Sequence, residues 1–240
     1  MIKLETHCHT KGASPCADGD FTLLAEKYAK DGYGGVVITN HMSEYSYTCL
    51  LGNNHKEKID YYFQSYYTAK EELNKLGLKT FWGIEVRAFY LAGEFAEYII
   101  YGLKEKDLYD NAPLCTLTQK ELFEFAEKRG GFMYQAHPFR TGVTCGNPKY
   151  LHGAEAFNGN FGHFNYNNLA EEFCKKNNLI QMSGSDYHHD AQPPTAGIFV
   201  PENISDETGL KDFIMNNSFD LYKDVLLYES SLKNLKESRK

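Results

Sequence analysis

A chain of 240 residues with 42% hydrophobic side chains can bury a core without disulfides or a structural metal, and is too apolar to be disordered. Its formal net charge is −7 and no dense Lys/Arg stripe occurs, which disfavours unaided nucleic-acid binding, since that needs a basic footprint. No run approaches the roughly 18 apolar residues that span a bilayer, so no membrane partner is expected.

The opening MIKLETHCHT is too polar for a signal peptide's hydrophobic region. Residues 2–6 read as a short strand followed by a polar loop. Phe21, Leu24, Ala25, Tyr28 and Ala29 fall at helical spacing, which predicts a helix over 21–30. GVVIT at 35–39 reads as a buried strand. A long helix is expected over 59–76, stopped by Gly77, then strands at 79–86 and 98–103. Residues 117–129 place Leu122, Phe125 and Ala126 on one helical face. Strands follow at 132–136 and 154–157, a helix at 165–176, strands at 179–183 and 196–200, and a helix at 206–216. The polar stretch 230–240 reads as a surface helix or a frayed tail. The six cysteines are scattered without a CxxC pair, as expected of reduced thiols in a cytoplasmic protein.

No repeat, low-complexity tract or linker divides the chain, so one domain is expected over residues 1–240. Repeated strand-then-helix units imply a parallel sheet with right-handed crossovers, and seven or eight of them favour a closed α/β barrel over a doubly wound sheet. No GxGxxG or GxxxxGK[ST] fingerprint points to a dinucleotide or a P-loop nucleotide.

Histidines and carboxylates cluster where strands end. His7 and His9 follow the first strand, His41 the second, and Glu85 closes the third. His137 follows the strand at 132–136, and Asp186 and His188 follow the one at 179–183. In a parallel barrel these ends share one face, where active sites are built. One such histidine is ordinary; five of the nine, with a Glu and an Asp, point to metal. Imidazole and carboxylate suit zinc, manganese or iron, and two or three divalent cations are expected. Two ions carry roughly four positive charges against two from Glu85 and Asp186, which favours a small anionic substrate. Two of the four arginines flank these motifs: Arg87 follows Glu85, and Arg140 follows His137. Each is a candidate fork for phosphate, with a plain salt bridge as the alternative. His55, His152, His163 and His189 read as ordinary loop or surface residues, with His189 and Asp190 undecided.

The motifs HCH, ITNH, GIE, AHP and GSDYH, in that order from His7 to about residue 200, resemble the PHP (polymerase and histidinol phosphatase) family. The resemblance implies a distorted (β/α)7 barrel with its metal site at the C-terminal ends of the strands. It implies a phosphoesterase that hydrolyses a small phosphorylated substrate with a metal-activated water, either histidinol phosphatase-like or acting on nucleotides or other phosphomonoesters. It also implies that His7 and His9 hold one ion, bridged through Glu85 and Asp186 to a second held by His137, with His41 and His188 on a third. Glu155 and Asn158 in GAEAFNG are expected to support these ligands by hydrogen bonding. Two positions depart from the family pattern. A further histidine is usual on the strand after the Glu, where this chain offers only Glu97 or Tyr98. An Asp or His is usual soon after HxH, where Cys16, Asp18 and Asp20 compete. Hydrolysis of a non-phosphate bond, such as an amide or lactone, is the alternative activity. A degenerate metal-binding module is the alternative class. Specificity is expected from the loops 43–58 and 141–152.

Overall fold

Residues 1–89 and 94–238 are described here, from a computed structural model. In chain order the elements are β1 (Ile2–Cys8), α1 (Phe21–Lys30), β2 (Gly35–Ile38), β3 (His41–Met42), α2 (Glu44–Cys49) and α3 (His55–Lys75). Then come β4 (Lys79–Arg87), β5 (Glu97–Tyr101), α4 (Glu105–Tyr109), α5 (Gln119–Glu127), β6 (Phe132–Gln135) and β7 (Gly153–Asn158). The last are α6 (Asn167–Asn177), β8 (Ile180–Gly184), β9 (Ala196–Val200), α7 (Glu207–Asn216), β10 (Leu221–Lys223) and α8 (Val225–Ser238). Helix starts follow local chemistry: Asp20, Asn54 and Asp206 cap α1, α3 and α7, and Thr118 forms a reciprocal capping box with Glu121 at α5.

The strands run in the order β10-β9-β1-β2-β4-β5-β6-β7-β8, with β3 added on β4. Seven of them, β1, β2 and β4 to β8, form the wall of a nearly closed barrel. The seam lies between β8 and β1, where Thr6 Oγ1 donates to Ser183 O (2.7 Å) and Cys8 bridges to Tyr187. β9 pairs with β1, and Ser183 Oγ donates to Tyr222 O on β10 (2.8 Å), so the last two strands pack across that seam.

The sheet is mixed, which corrects the expectation of parallel strands throughout. β5 runs antiparallel to β4 and β6, and β9 antiparallel to β1. The cause at β5 is the link 88–96. A parallel crossover needs roughly a dozen or more residues, usually with a helix, and this link is too short to provide one. Pattern reading also missed the short helices α2 and α4 and the strand β10, all too brief for a clear period. At the C-terminus, the stretch read as a surface helix or a frayed tail is mostly α8, whose Tyr228 packs on Phe157 and Ala196; residues 239–240 lie outside the described residues.

Alternation along the strands sorts side chains into two cores. Leu4, Val37, Phe81, Ile99, Phe132 and Tyr134 fill the barrel, with Leu210 and Ile214 of α7 against them. Val36, Ile38, Trp82, Ile84, Ile100 and Met133 face outward onto the helices. The inward series on β4 is Phe81, Gly83, Glu85, and on β5 it is Tyr101, Ile99, Glu97. Because β5 is reversed, its first residue, not its last, stands at the barrel mouth beside Glu85. On β1 the alternation breaks. Leu4 lies in the barrel core but Cys8 in the outer one, and the pairing with β2 shifts register between Glu5 and Cys8. Such a bulge re-aims the side chains that follow it. Among the described residues no helix is long and apolar enough to cross a membrane.

Candidate metal centre

All seven expected ligands meet at the barrel mouth, and the cluster is buried. His7, His9, Glu85, His137 and Asp186 are at most 1% exposed. His41 and His188 stand above them, with the His9 ring stacked 4.2 Å from each. Nitrogen and oxygen atoms of four overlapping triads lie within 4.8 Å of one another: His7/His9/Glu85, His7/His137/Asp186, His41/Glu85/Glu97 and His9/His41/His188.

Hydrogen bonds outside the cluster set which ring nitrogen faces it. Glu155 Oε1 is 2.8 Å from His7 Nδ1; a carboxylate only accepts, so Nδ1 carries the proton. Ser14 Oγ donates to Asn40 Oδ1 and accepts from His41 N, which leaves it as acceptor for His9 Nδ1 at 3.2 Å. His188 Nδ1 donates to Asp186 O at 2.9 Å. In the neutral rings all three therefore present an Nε2 lone pair. His7 Nε2 and His9 Nε2 are 2.9 Å apart, an approach that two neutral acceptors avoid and two ligands of one cation share.

The carboxylates give the test of fit. Neither oxygen of Glu85 accepts a hydrogen bond of acceptable geometry, nor does Asp186 Oδ1, and His137 Nδ1 is likewise unpartnered; all are buried. Yet Glu85 oxygens lie 2.6 Å from His41 Nδ1, 3.2 Å from His137 Nε2 and 3.3 Å from His7 Nε2. Close approach without alignment means that these atoms aim at common points instead of at each other, and buried acceptors left so are costly. The donor set fits divalent cations. His137 (φ 31°) and Asp186 (φ 52°) also adopt left-handed backbone, a strain that concentrates at functional sites. Gly184 is required nearby: a Cβ there would stand 2.5 Å from His7 Cβ and 2.8 Å from Glu155 Oε1.

Charge at the cluster is strongly coupled. Burial acts to lower the His7 pKa, but the carboxylates of Glu155, Asp186 and Glu85 hold it well above the usual imidazole value. His41 is raised likewise, chiefly by Glu85 against its own burial. His9 is pushed well below by burial and by the charges of His41 and His188. Burial would raise Glu85 and Asp186, yet His41 and His7 hold the first, and Arg140 and His7 the second, well below the carboxylate range.

The residues left open by the sequence now sort themselves. Glu97, not Tyr98, faces the site: its Oε2 is 3.6 Å from His137 Nε2, while Tyr98 lies in the outer core. Glu155 and Asn158 support the ligands as expected. Glu155 Oε2 accepts from His137 N and from Asn158 Nδ2, each at 2.9 Å. Both arginines line the cleft, and both are also paired. Arg87 binds Glu97 Oε1 through Nε and Nη2 (3.0 and 2.8 Å) and stacks 4.2 Å from the Phe95 ring. Arg140 holds Asp186 Oδ2, Asn158 Oδ1 and Asn165 Oδ1. The salt bridge and the cleft position were not exclusive alternatives.

The cleft above the cluster has a volume of about 360 Å³. Of the loops expected to shape it, 141–152 contributes Thr141 and 43–58 none of the lining side chains among the described residues. Residues 43–58 instead fold as α2 and the start of α3. Asn160, His163 and His189 line it, so the plain reading of His163 as an ordinary loop residue is corrected. Nothing in its local sequence, FGHFN, signals this; only the chain's path from β7 brings it there. His55 and His152 are structural, bonded to Leu108 O and to Glu127.

Glu155→Gln puts an NH2 where either His7 Nδ1–H or His137 N–H now donates. It is expected to weaken metal binding by about 10- to 100-fold with the fold retained, as measured by metal titration beside circular dichroism. Unchanged affinity would remove Glu155 from the orienting role.

No protein-family model and no curated protein sequence matches the chain. Solved structures are similar. A two-domain protein from Bacteroides vulgatus, described as containing a predicted PHP-like metal-dependent phosphoesterase, aligns with TM-score 0.62 and 20% identity over 92% of this chain. The chain spans 64% of that protein's length. PsfC from Pseudomonas syringae aligns with TM-score 0.66 and 16% identity over 99% of this chain and 97% of its own. A lesion-specific endonuclease from Pyrococcus furiosus aligns with TM-score 0.56 and 11% identity over 92% of this chain and 57% of its own. At these identities the likeness is one of fold, and it agrees with the barrel that the motifs implied.

Proposed function

We propose that the chain is a metal-dependent phosphoesterase that hydrolyses a small phosphorylated substrate. Two or three divalent cations (zinc, manganese or iron) would be held by His7, His9, His41, Glu85, His137, Asp186 and His188, with Glu97 as a further donor. The observation that carries this reading is the buried, unpartnered pair of Glu85 oxygens and Asp186 Oδ1 among five imidazoles, beneath a cleft edged by two arginines. Bound there, the cations supply a water acidic enough to act near neutral pH and polarise a phosphoryl oxygen.

The chain's own side chains do the rest. Glu97 joins Glu85 and Asp186, so two ions bring four positive charges against three negative, and the centre still attracts an anion. Arg140 spends Nε and Nη2 on Asn165, Asn158 and Asp186, which keeps Asp186 Oδ1 aimed inward; Nη1 is the edge it offers a non-bridging oxygen. Arg87, fixed on Phe95 and Glu97, sets a second positive edge. The cleft volume matches a small ligand, for which pockets of about 300–1,000 Å³ are usual.

The test is turnover of a panel of phosphomonoesters and phosphodiesters, a short oligonucleotide included, by the manganese- or zinc-loaded chain. Hydrolysis of monoesters above a His7→Ala/His9→Ala control, inhibited by phosphate or vanadate, is expected; none above the control sinks the proposal. Turnover of the oligonucleotide alone would move the substrate to nucleic acid, a reading that the endonuclease's fold supports and the net charge of −7 opposes. Hydrolysis indifferent to phosphate and vanadate would point to an amide or lactone. One tightly held ion without hydrolysis would indicate a metal-binding module.

A further inference from the structure

The metal cluster is assembled across the barrel's seam, with His7 on β1 and Asp186 just past the end of β8. Their facing atoms, His7 Nε2 and Asp186 Oδ1, stand 3.4 Å apart, and with His137 they form one of the triads. β1 and β8 are not neighbours in the strand order, so no regular ladder fixes that separation. On the far side of the two ligands, Tyr187 N donates to His7 O (3.3 Å) and His9 N to Tyr187 O (2.9 Å). On the near side the links are side chains.

Thr6 Oγ1 donating to Ser183 O is one of them, and the Glu5 carboxylate is the other. Glu5 is wholly buried. Its Oε1 accepts from Thr6 N and His7 N (2.9 Å each) and, across the seam, from Ser185 N (2.8 Å). Its Oε2 accepts from Tyr28 Oη on α1 (2.9 Å). Every group that meets this carboxylate is a donor, and an ionised carboxylate only accepts. Thr6 and His7 lie where the pairing with β2 shifts register and the ladder is interrupted. One oxygen therefore joins the backbone of ligand His7 to the residue before ligand Asp186. Glu5 lines no part of the cleft and belongs to none of the triads, so whatever it does there it does through those two ligands.

We propose that Glu5 is a positioning residue whose Oε1 sets the separation of His7 and Asp186, and with it the geometry of the cation they share. The inference rests on the metal-centre reading above. Glu155 acts on the ring of His7, fixing which nitrogen faces the cluster. Glu5 acts on the backbone, fixing where that ring and the Asp186 carboxylate stand relative to each other.

The test loads the full chain with Co²⁺, whose visible ligand-field absorption reports the arrangement of its ligands, beside turnover and thermal melting. Glu5→Asp draws the acceptor back by one carbon–carbon bond. It is expected to alter the cobalt spectrum and to lower kcat by about 10- to 100-fold with KM nearly unchanged. Glu5→Gln keeps an oxygen for the three N–H groups and can turn its NH2 to Tyr28 Oη, so it is expected to restore the spectrum and most of the turnover. Tyr28→Phe removes only the Oε2 bond, and is expected to melt lower with the cobalt spectrum of the wild-type chain. A Glu5→Asp chain with that same spectrum, a Glu5→Gln chain no better than Glu5→Asp, or a Tyr28→Phe chain altered as much as Glu5→Asp overturns the role of Glu5 and leaves the metal centre standing. Should Glu5→Asp not fold, Glu5→Gln decides: its Thr6, His7 and Ser185 amide protons are expected to move upfield together, because a neutral oxygen accepts less strongly, and unmoved resonances overturn the proposal. Cobalt uptake without hydrolysis of any phosphoester removes the activity but leaves the spectra to judge Glu5. Failure of the wild-type chain to take up cobalt overturns both readings.

Discussion

Glu85→Ala is expected to lower phosphoester turnover by at least ~10³-fold. Cations at such a centre supply several kcal/mol of transition-state stabilisation, and about 4 kcal/mol corresponds to that factor. Glu85 stands where three of the four triads can draw on one another: it belongs to two of them and lies 3.3 Å from His7, a member of the third. Glu85→Gln keeps the shape and removes the charge, so it is expected to lose nearly as much. Elemental analysis beside the assay reads the cause, since metal content should fall with activity while circular dichroism stays unchanged. A variant that keeps both its ions and its turnover would strike Glu85 from the ligand set.

Metal removal should be visible without any substrate. A ligand that binds only the folded chain stabilises it by about 2.7 kcal/mol at 100 times its Kd. For a chain of this size that corresponds to a rise in Tm of roughly 5–10 °C. The pH dependence has a sign that the site dictates. In the metal-free chain burial lowers the His7 and His41 pKa values, but their carboxylate neighbours prevail and hold both well above the usual value. Groups so raised stabilise the fold below the unfolded value of about 6.5, and that contribution is lost as pH rises through the folded value. Metal binding runs the other way, because ligation needs neutral rings and releases their protons. The Tm difference between loaded and metal-free chain is therefore expected to widen from about pH 6 to about pH 8. A difference that narrows over that interval, in scans with and without chelator, would rule out protonated imidazoles as the groups the cations displace.

These expectations rest on residues that were legible at different depths. The seven ligand candidates could be read from the chain because each follows or closes a segment whose strand pattern is local. GVVIT before Asn40 and His41, and WGIEVR around Glu85, are β-rich runs bounded by polar residues, and a parallel barrel brings such ends to one face. Glu155 was legible by resemblance, and its two-sided grip on His7 and on His137 N explains why a carboxylate stands in that strand.

Strand direction is not carried by the pattern at 97–101 itself. Its one signal is the link 88–96, too short for a parallel crossover, and the reversal puts Glu97, the first residue of β5, at the mouth. The choice among Cys16, Asp18 and Asp20 was closed to sequence reading, because all three share one loop. Contacts far along the chain put Cys16 in the lining of the cleft and pair Asp18 with His189, while Asp20 caps α1. Arg140 reads as a free fork until Asp186, far along the chain, is seen to hold it.

The sequence by itself thus determined the barrel class and the histidine- and carboxylate-lined centre, since strand periodicity and residue chemistry act over a few residues. The tertiary structure decided which further side chains stand at that centre and what the arginines grip. Those outcomes depend on contacts between segments that lie far apart along the chain, and no local pattern encodes them.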